Sequence, residues 1–188
     1  MNDVPATRAA DAAPSPDPAE APARSLHQQV GRLAAVLGAD HFPGGDRAAL
    51  KRMTPGASPP LAFYRMWLRY LDDNVPAPDQ TPAWVVIVAG LASSPPQVHR
   101  PGRGFGQALA ESGWHEARLE RLLAADDDGQ QPKLVADALR FLAARGESFD
   151  WTHVTRLLLA RADDPREAIQ RRIATDFYRH QPRTDTTE

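Results

Sequence analysis

The sequence contains no cysteine. That excludes disulfides and thiolate metal sites, and it fits a reducing, cytoplasmic setting. Nor is there a run of the roughly eighteen apolar residues that a membrane-spanning helix needs. Large aliphatic side chains are almost missing from residues 1–24, which hold eight alanines and five prolines but only Val4. Such a stretch cannot offset its ordering entropy by burial, so it is expected to be a disordered tail. Without a basic start and an apolar centre it does not read as a signal peptide. Lysine is scarce as well: 20 of the 22 basic residues are arginine. The formal net charge is only −2, and residues 25–181 carry 19 Lys+Arg against 18 Asp+Glu. Biased coding accounts for much of that preference. Arginine also suits bidentate contact with phosphate, so the placement of the arginines has to decide.

Strand signals are absent too. No stretch alternates apolar and polar residues for long, and no hairpin dipeptide joins two β-rich runs. Helical spacing dominates instead, with Leu26, Val30, Leu33 and Leu37 ending near Gly38. Asp46 is expected to cap a short helix carrying Leu50 and Met53. Ser58-Pro59 is expected to open a helix through Leu61, Leu68 and Leu71. Thr81-Pro82 repeats that device before AWVVIVAGLA, whose apolar residues on every side predict a buried central helix. Further helices are expected at 104–112, 114–125, 131–145, 150–161 and 164–180. Asp150 and Asp164 should act as starts and Gly146 as a stop. The fold class is therefore all-α, about nine helices in two packed bundles. A bundle over 25–93 and another over 104–181 are joined by a Pro/Gly-rich linker at 94–103, and 182–188 forms a polar tail.

Residues 101–106 read PGRGFG, which raises the question of a phosphate cradle. Nucleotide-binding loops need G-x-G-x-x-G after a strand, or G-x-x-x-x-G-K-[ST]. Gly102, Gly104 and Gly106 have neither spacing, and Pro95-Pro96 breaks any preceding strand. The glycines are expected to form a tight approach that lets Phe105 and Leu109 pack, with Arg100 and Arg103 placed to touch a phosphate. None of the six histidines makes an H-E-x-x-H pair, and no G-x-S-x-G elbow exists. Asp126-Asp127-Asp128 lacks the alternating ligands and closing glutamate of a calcium loop and reads as a solvated connection. No catalytic residue, cofactor or metal is expected. Trp67, Trp84 and Trp151 sit in apolar helical patterns and read as core. Trp114 starts a helix, where packing is favoured over a stacking role.

The arginines form a pattern on helical wheels. Arg118 and Arg121 flank one side of the Leu119, Leu122 and Leu123 face, with Glu116 and Glu120 on the other. Arg47, Lys51 and Arg52 stand away from Leu50 and Met53. Arg171, Arg172 and Arg179 lie opposite Ile169, Ile173 and Phe177, with Tyr178 beside them. One such face is an ordinary solvated surface. Three in one small protein point to a composite surface for an anionic partner.

Three blocks carry a family resemblance: GDRAALKRM (Gly45 to Met53), FGQALAESGWHEARLERLL (Phe105 to Leu123) and IQRRIATDFY (Ile169 to Tyr178). With the D-W segment at Asp150 to Val154, their order and spacing over residues 26–180 resemble the CasB family. This is the small subunit of the type I-E CRISPR interference complex, Cascade. The resemblance implies an all-helical, non-catalytic subunit, usually present as two copies head to tail. It also implies contacts with the guide-bearing backbone subunits, the large subunit, CRISPR RNA and target DNA, stabilising the opened duplex. Phosphate contacts suffice for that task, because the guide RNA supplies sequence specificity. The candidate nucleic-acid-binding residues are Arg47, Lys51, Arg52, Arg103, Arg118, Arg121, Arg171, Arg172 and Arg179. His115 stands where the family pattern has a small hydroxyl residue, so the cap of that helix is expected from Ser112. The rival reading is a protein-binding helical adaptor whose arginines only solvate its surface.

Overall fold

The computed structural model describes residues 25–71, 74–125, 129–160 and 163–182. The expected tail at 1–24, the triple-aspartate loop and most of the C-terminal tail lie outside these residues. Nine helices make up the described chain: α1 Leu26–Gly38, α2 Gly44–Lys51, α3 Leu61–Arg65, α4 Thr81–Ser93 and α5 Phe105–Glu111. They continue with α6 Glu116–Ala124, α7 Gln130–Ala144, α8 Trp151–Leu159 and α9 Asp163–His180. No strand occurs among the described residues, only an isolated parallel bridge between His99 and Phe149. The fold is all-α.

Two helix starts carry side-chain caps, that of α8 being the one expected. Ser25 forms a capping box with Gln28, and the Asp150 side chain accepts the Thr152 N–H at 2.9 Å. Three others differ. Pro43, not Asp46, precedes α2; Asp46 lies in its first turn, where a carboxylate meets the positive helix end, and pairs with Arg65 at 2.5 Å. α3 starts after Pro60, so Ser58 caps nothing. Gln80 precedes α4, and the Thr81 hydroxyl donates back to the Ala77 carbonyl at 3.0 Å. Asp164 falls inside the first turn of α9, and its side chain lies outside the described residues. Gly146, with φ +68°, ends α7 as its sequence predicts.

The apolar stripe of α3 is not the expected one. Leu61 is 74 % exposed and Leu68 57 %, while Ala62, Phe63, Met66 and Trp67 are buried. The helix widens into a π-turn at Met66–Tyr70, closed by the Leu71 N–H on the Met66 carbonyl at 3.1 Å. That extra residue in the turn returns Leu71 to the core while leaving Leu68 outside. Burial of two large aromatic rings outweighs that of two leucines, so the aromatic face wins.

α4 is the axis of the molecule. Ala83 to Val88, Leu91 and Ala92 are all buried, with α1, α2, α7 and α8 all packed against it. Its Gly90 permits this: a Cβ there would stand 2.9 Å from both Leu139 and Trp151. The core is continuous across residues 94–103, because that segment is laced to the start of α8. Arg100 N–H donates to Phe149 O at 2.9 Å, Phe149 N–H to Val98 O at 3.1 Å and Asp150 N–H to Arg103 O at 2.7 Å.

The glycine motif also resolves into packing. α5 lies directly against α9, and a Cβ on Gly106 would overlap the Ile173 carbonyl while one on Gly104 would overlap the Asp176 carboxylate. Close packing against α9 uses Gly106 and Gly104, while Gly102 takes a left-handed turn at φ +89°.

Candidate nucleic-acid interface

The α2 face carries Lys51 and Arg52, both exposed, and a half-buried Arg47. Arg47 donates to the Ala39 carbonyl at 2.8 Å and lies 5.8 Å over the Phe42 ring, which fixes its stem and aims its remaining donors. On α6, Arg118 and Arg121 are exposed, with the Arg118 guanidinium 5.3 Å over the Trp114 ring. Trp114 itself is 7 % exposed, so packing is its role, as its sequence context favours. On α9, Arg171, Arg172 and Arg179 are all exposed. Arg171 pairs with Glu167 at 2.6 Å, an exposed pair one turn apart and of little energetic weight. Arg118, Arg121, Arg172, Arg179, Lys51 and Arg52 form no ion pair with another described residue.

The structure ties α9 to the acidic side of α6. The Tyr178 hydroxyl donates to Glu116 at 2.8 Å, tying the end of α9 to the start of α6. Accepting charge nearby raises the Tyr178 pKa, chiefly through that bond. The α2 face belongs to a separate part of the fold, packed on α3 and α4.

Arg103 stands apart from the other candidates. Its guanidinium reaches Glu111 at 2.6 Å, Glu147 at 2.6 Å and the Ser148 carbonyl at 2.6 Å, and its side chain is only 13 % exposed. Burial works against its charge, and the hydrogen bonds to Glu111 and Glu147 outweigh it. A phosphate approaching this arginine competes with two carboxylates. The cap expected from Ser112 is not formed either: Ser112 closes α5, its hydroxyl is buried without a partner, and His115 precedes α6 without a side-chain cap.

Sequence reasoning passed over Arg140 and Arg145 on α7, both exposed. Arg145 stacks 3.6 Å over the Phe141 ring, and Phe141 meets Trp114 edge-on at 4.8 Å. Arg140 pairs with Asp137. The signal was weak because these arginines stand five apart, off the three- and four-residue spacing that aligns side chains on one helix face.

His27, His99 and Asp150 bring donor atoms within 4.8 Å of one another. Their hydrogen bonds argue against a metal there. His99 Nδ1 accepts the Trp151 N–H at 3.3 Å, which places its proton on Nε2, and Asp150 is engaged as the cap of α8. The positive end of α8 also opposes a cation. The cluster reads as a helix-capping knot, in which burial lowers the pKa of both His99 and His153.

No helix among the described residues is long and apolar enough to cross a membrane. Fold and surface together define an all-helical protein with exposed arginines on several helices. The family model described as CRISPR-associated protein Cse2 matches residues 46–178, most of the chain, and the chain belongs to that family. This is the CasB family of the resemblance: small subunits of Cascade in type I-E CRISPR defence, structural subunits that generally lack catalytic activity. No curated protein and no solved structure matches the chain.

Proposed function

We propose that this subunit holds nucleic-acid backbone within Cascade, gripping the opened target through phosphate contacts from α2, α6 and α9. The observation that carries the reading is the set of exposed cations, Lys51, Arg52, Arg118, Arg121, Arg172 and Arg179, without acidic partners among the described residues. Exposed guanidinium groups are already desolvated less than buried ones and are free to take phosphate oxygens two at a time. Near-neutral total charge implies weak binding by the isolated chain, so the surface acts once the complex concentrates it. Its partners are the guide-bearing backbone subunits, the large subunit, a second copy head to tail, CRISPR RNA and target DNA.

A second reading, a protein-binding adaptor, is favoured by one observation: Leu61, Tyr64 and Leu68 form an exposed apolar stripe along α3. The two readings separate in an assembled complex. Replacing Arg171 and Arg172 with alanine should weaken target binding similarly for unrelated sequences and flatten its salt dependence. An adaptor would lose assembly on changing Leu61 and Leu68 and keep its salt dependence after the arginine changes.

A further inference from the structure

A cavity of about 330 Å³ opens between α6 and α7, lined by Trp114, Arg118, Arg121, Leu134, Asp137 and Phe141. Its size falls at the lower end of what small-ligand sites need, enough for one planar heterocycle and part of a sugar. Trp114, Leu134 and Phe141 supply apolar walls, and the two aromatic rings hold each other edge to face at 4.8 Å. The cations sit differently. Arg118 lies over the Trp114 ring and Arg145 over the Phe141 ring, each guanidinium being a flat, exposed platform set by an aromatic side chain beneath it. Arg118 and Arg121 stand among the exposed cations of the proposed backbone-binding surface.

We infer that this cavity takes a single unstacked base from a nucleic-acid strand whose phosphates run over α6. The inference rests on the proposed backbone-binding reading and extends it from charge to stacking. Every base has a π-face, so exposed guanidinium planes held on aromatic rings capture a strand without reading its sequence. A duplex keeps its bases stacked inside. The slot therefore favours single strands, such as the one displaced when a guide pairs with its target. Asp137, already paired with Arg140, keeps a carboxylate at the rim, so a second phosphate inside the slot is disfavoured.

The test compares two fluorescently labelled oligodeoxynucleotides of equal length binding to the full complex, one normal and one made wholly of abasic sites. Both carry the same phosphates. The expected result is tighter binding of the normal strand by roughly 5- to 150-fold, the worth of one stacked base. Phe141→Leu should erase that margin without altering the salt slope. Photocrosslinking of a bromouracil-bearing strand to wild-type protein should map to Arg118 or Phe141, a readout that does not depend on how the variant folds. Equal affinity of the two strands with a retained salt slope would overturn the inference and leave backbone binding standing. A margin that survives Phe141→Leu in folded protein, or crosslinks confined to other helices, would also overturn it. Failure of both strands to bind would remove the backbone-binding reading itself.

Discussion

Arg103 shows how a single arginine can be diverted from a surface role into a clamp. It binds Glu111 on α5, Glu147 beyond α7 and the Ser148 carbonyl before α8, so three elements meet at one planar fork. Arg103→Ala should cost about 2 kcal/mol, since hydrogen bonds to charged groups are lost while both carboxylates keep partial access to water. Arg103→Lys should recover only part, because an ammonium cannot span the fork. Thermal melts check both, and the salt slope of target binding should not move. The clamp also has a pH signature. Glu111 is held below its ordinary value of 4.5, first by the Gln107 hydrogen bond and then by Arg103, which outweigh its burial. Its stabilisation is present above about pH 4.5 and fades as pH falls through the folded value. Arg103→Ala should flatten that acid-side loss in melting temperature; an unchanged profile would contradict the clamp.

At the scale of elements, the contact of α5 with α9 depends on glycine at position 106. Gly106→Ala should destabilise the protein by about 3 kcal/mol, because the backbone of α9 rather than a pliable side chain blocks the new methyl. A variant melting like wild type would refute that close approach. The start of α8 offers a second prediction. His99 serves as an acceptor only while neutral, and burial lowers its pKa from 6.5, with His27 assisting and Asp150 opposing. His153 is lowered in the same way, chiefly by burial, with Asp150 and Asp176 opposing and Arg172 and Arg156 assisting. Unfolded histidine protonates first as pH falls, so this contribution is full above about pH 6.5 and is lost below it. Melting temperature should decline between about pH 7 and 5, and His99→Gln should reduce that decline. Where sequence patterns and helix boundaries agreed, the elements were legible: Asp150 and Gly146 stand where their chemistry placed them. α3 was not, because a π-turn leaves no mark in spacing, and the choice between Leu68 and Trp67 for the core is a tertiary one. The basic faces of α6 and α9 were visible from wheels. The bond from Tyr178 to the acidic side of α6, and the cavity between α6 and α7, were not, since both depend on how the helices pack.

For the whole molecule, the central helix α4 and the lacing of residues 98–103 to 149–150 tie the helices that carry the arginines into one continuous core. The central claim is that these cations work as phosphate contacts in the assembled complex. A salt titration of target binding, comparing wild type with Arg118→Ala/Arg121→Ala and Arg171→Ala/Arg172→Ala, tests it most directly. Each lost single-strand contact should reduce the log–log slope by about 0.7, with affinity falling alike for unrelated targets and melting temperature nearly unchanged. Unchanged slope and affinity in both folded variants would contradict the account.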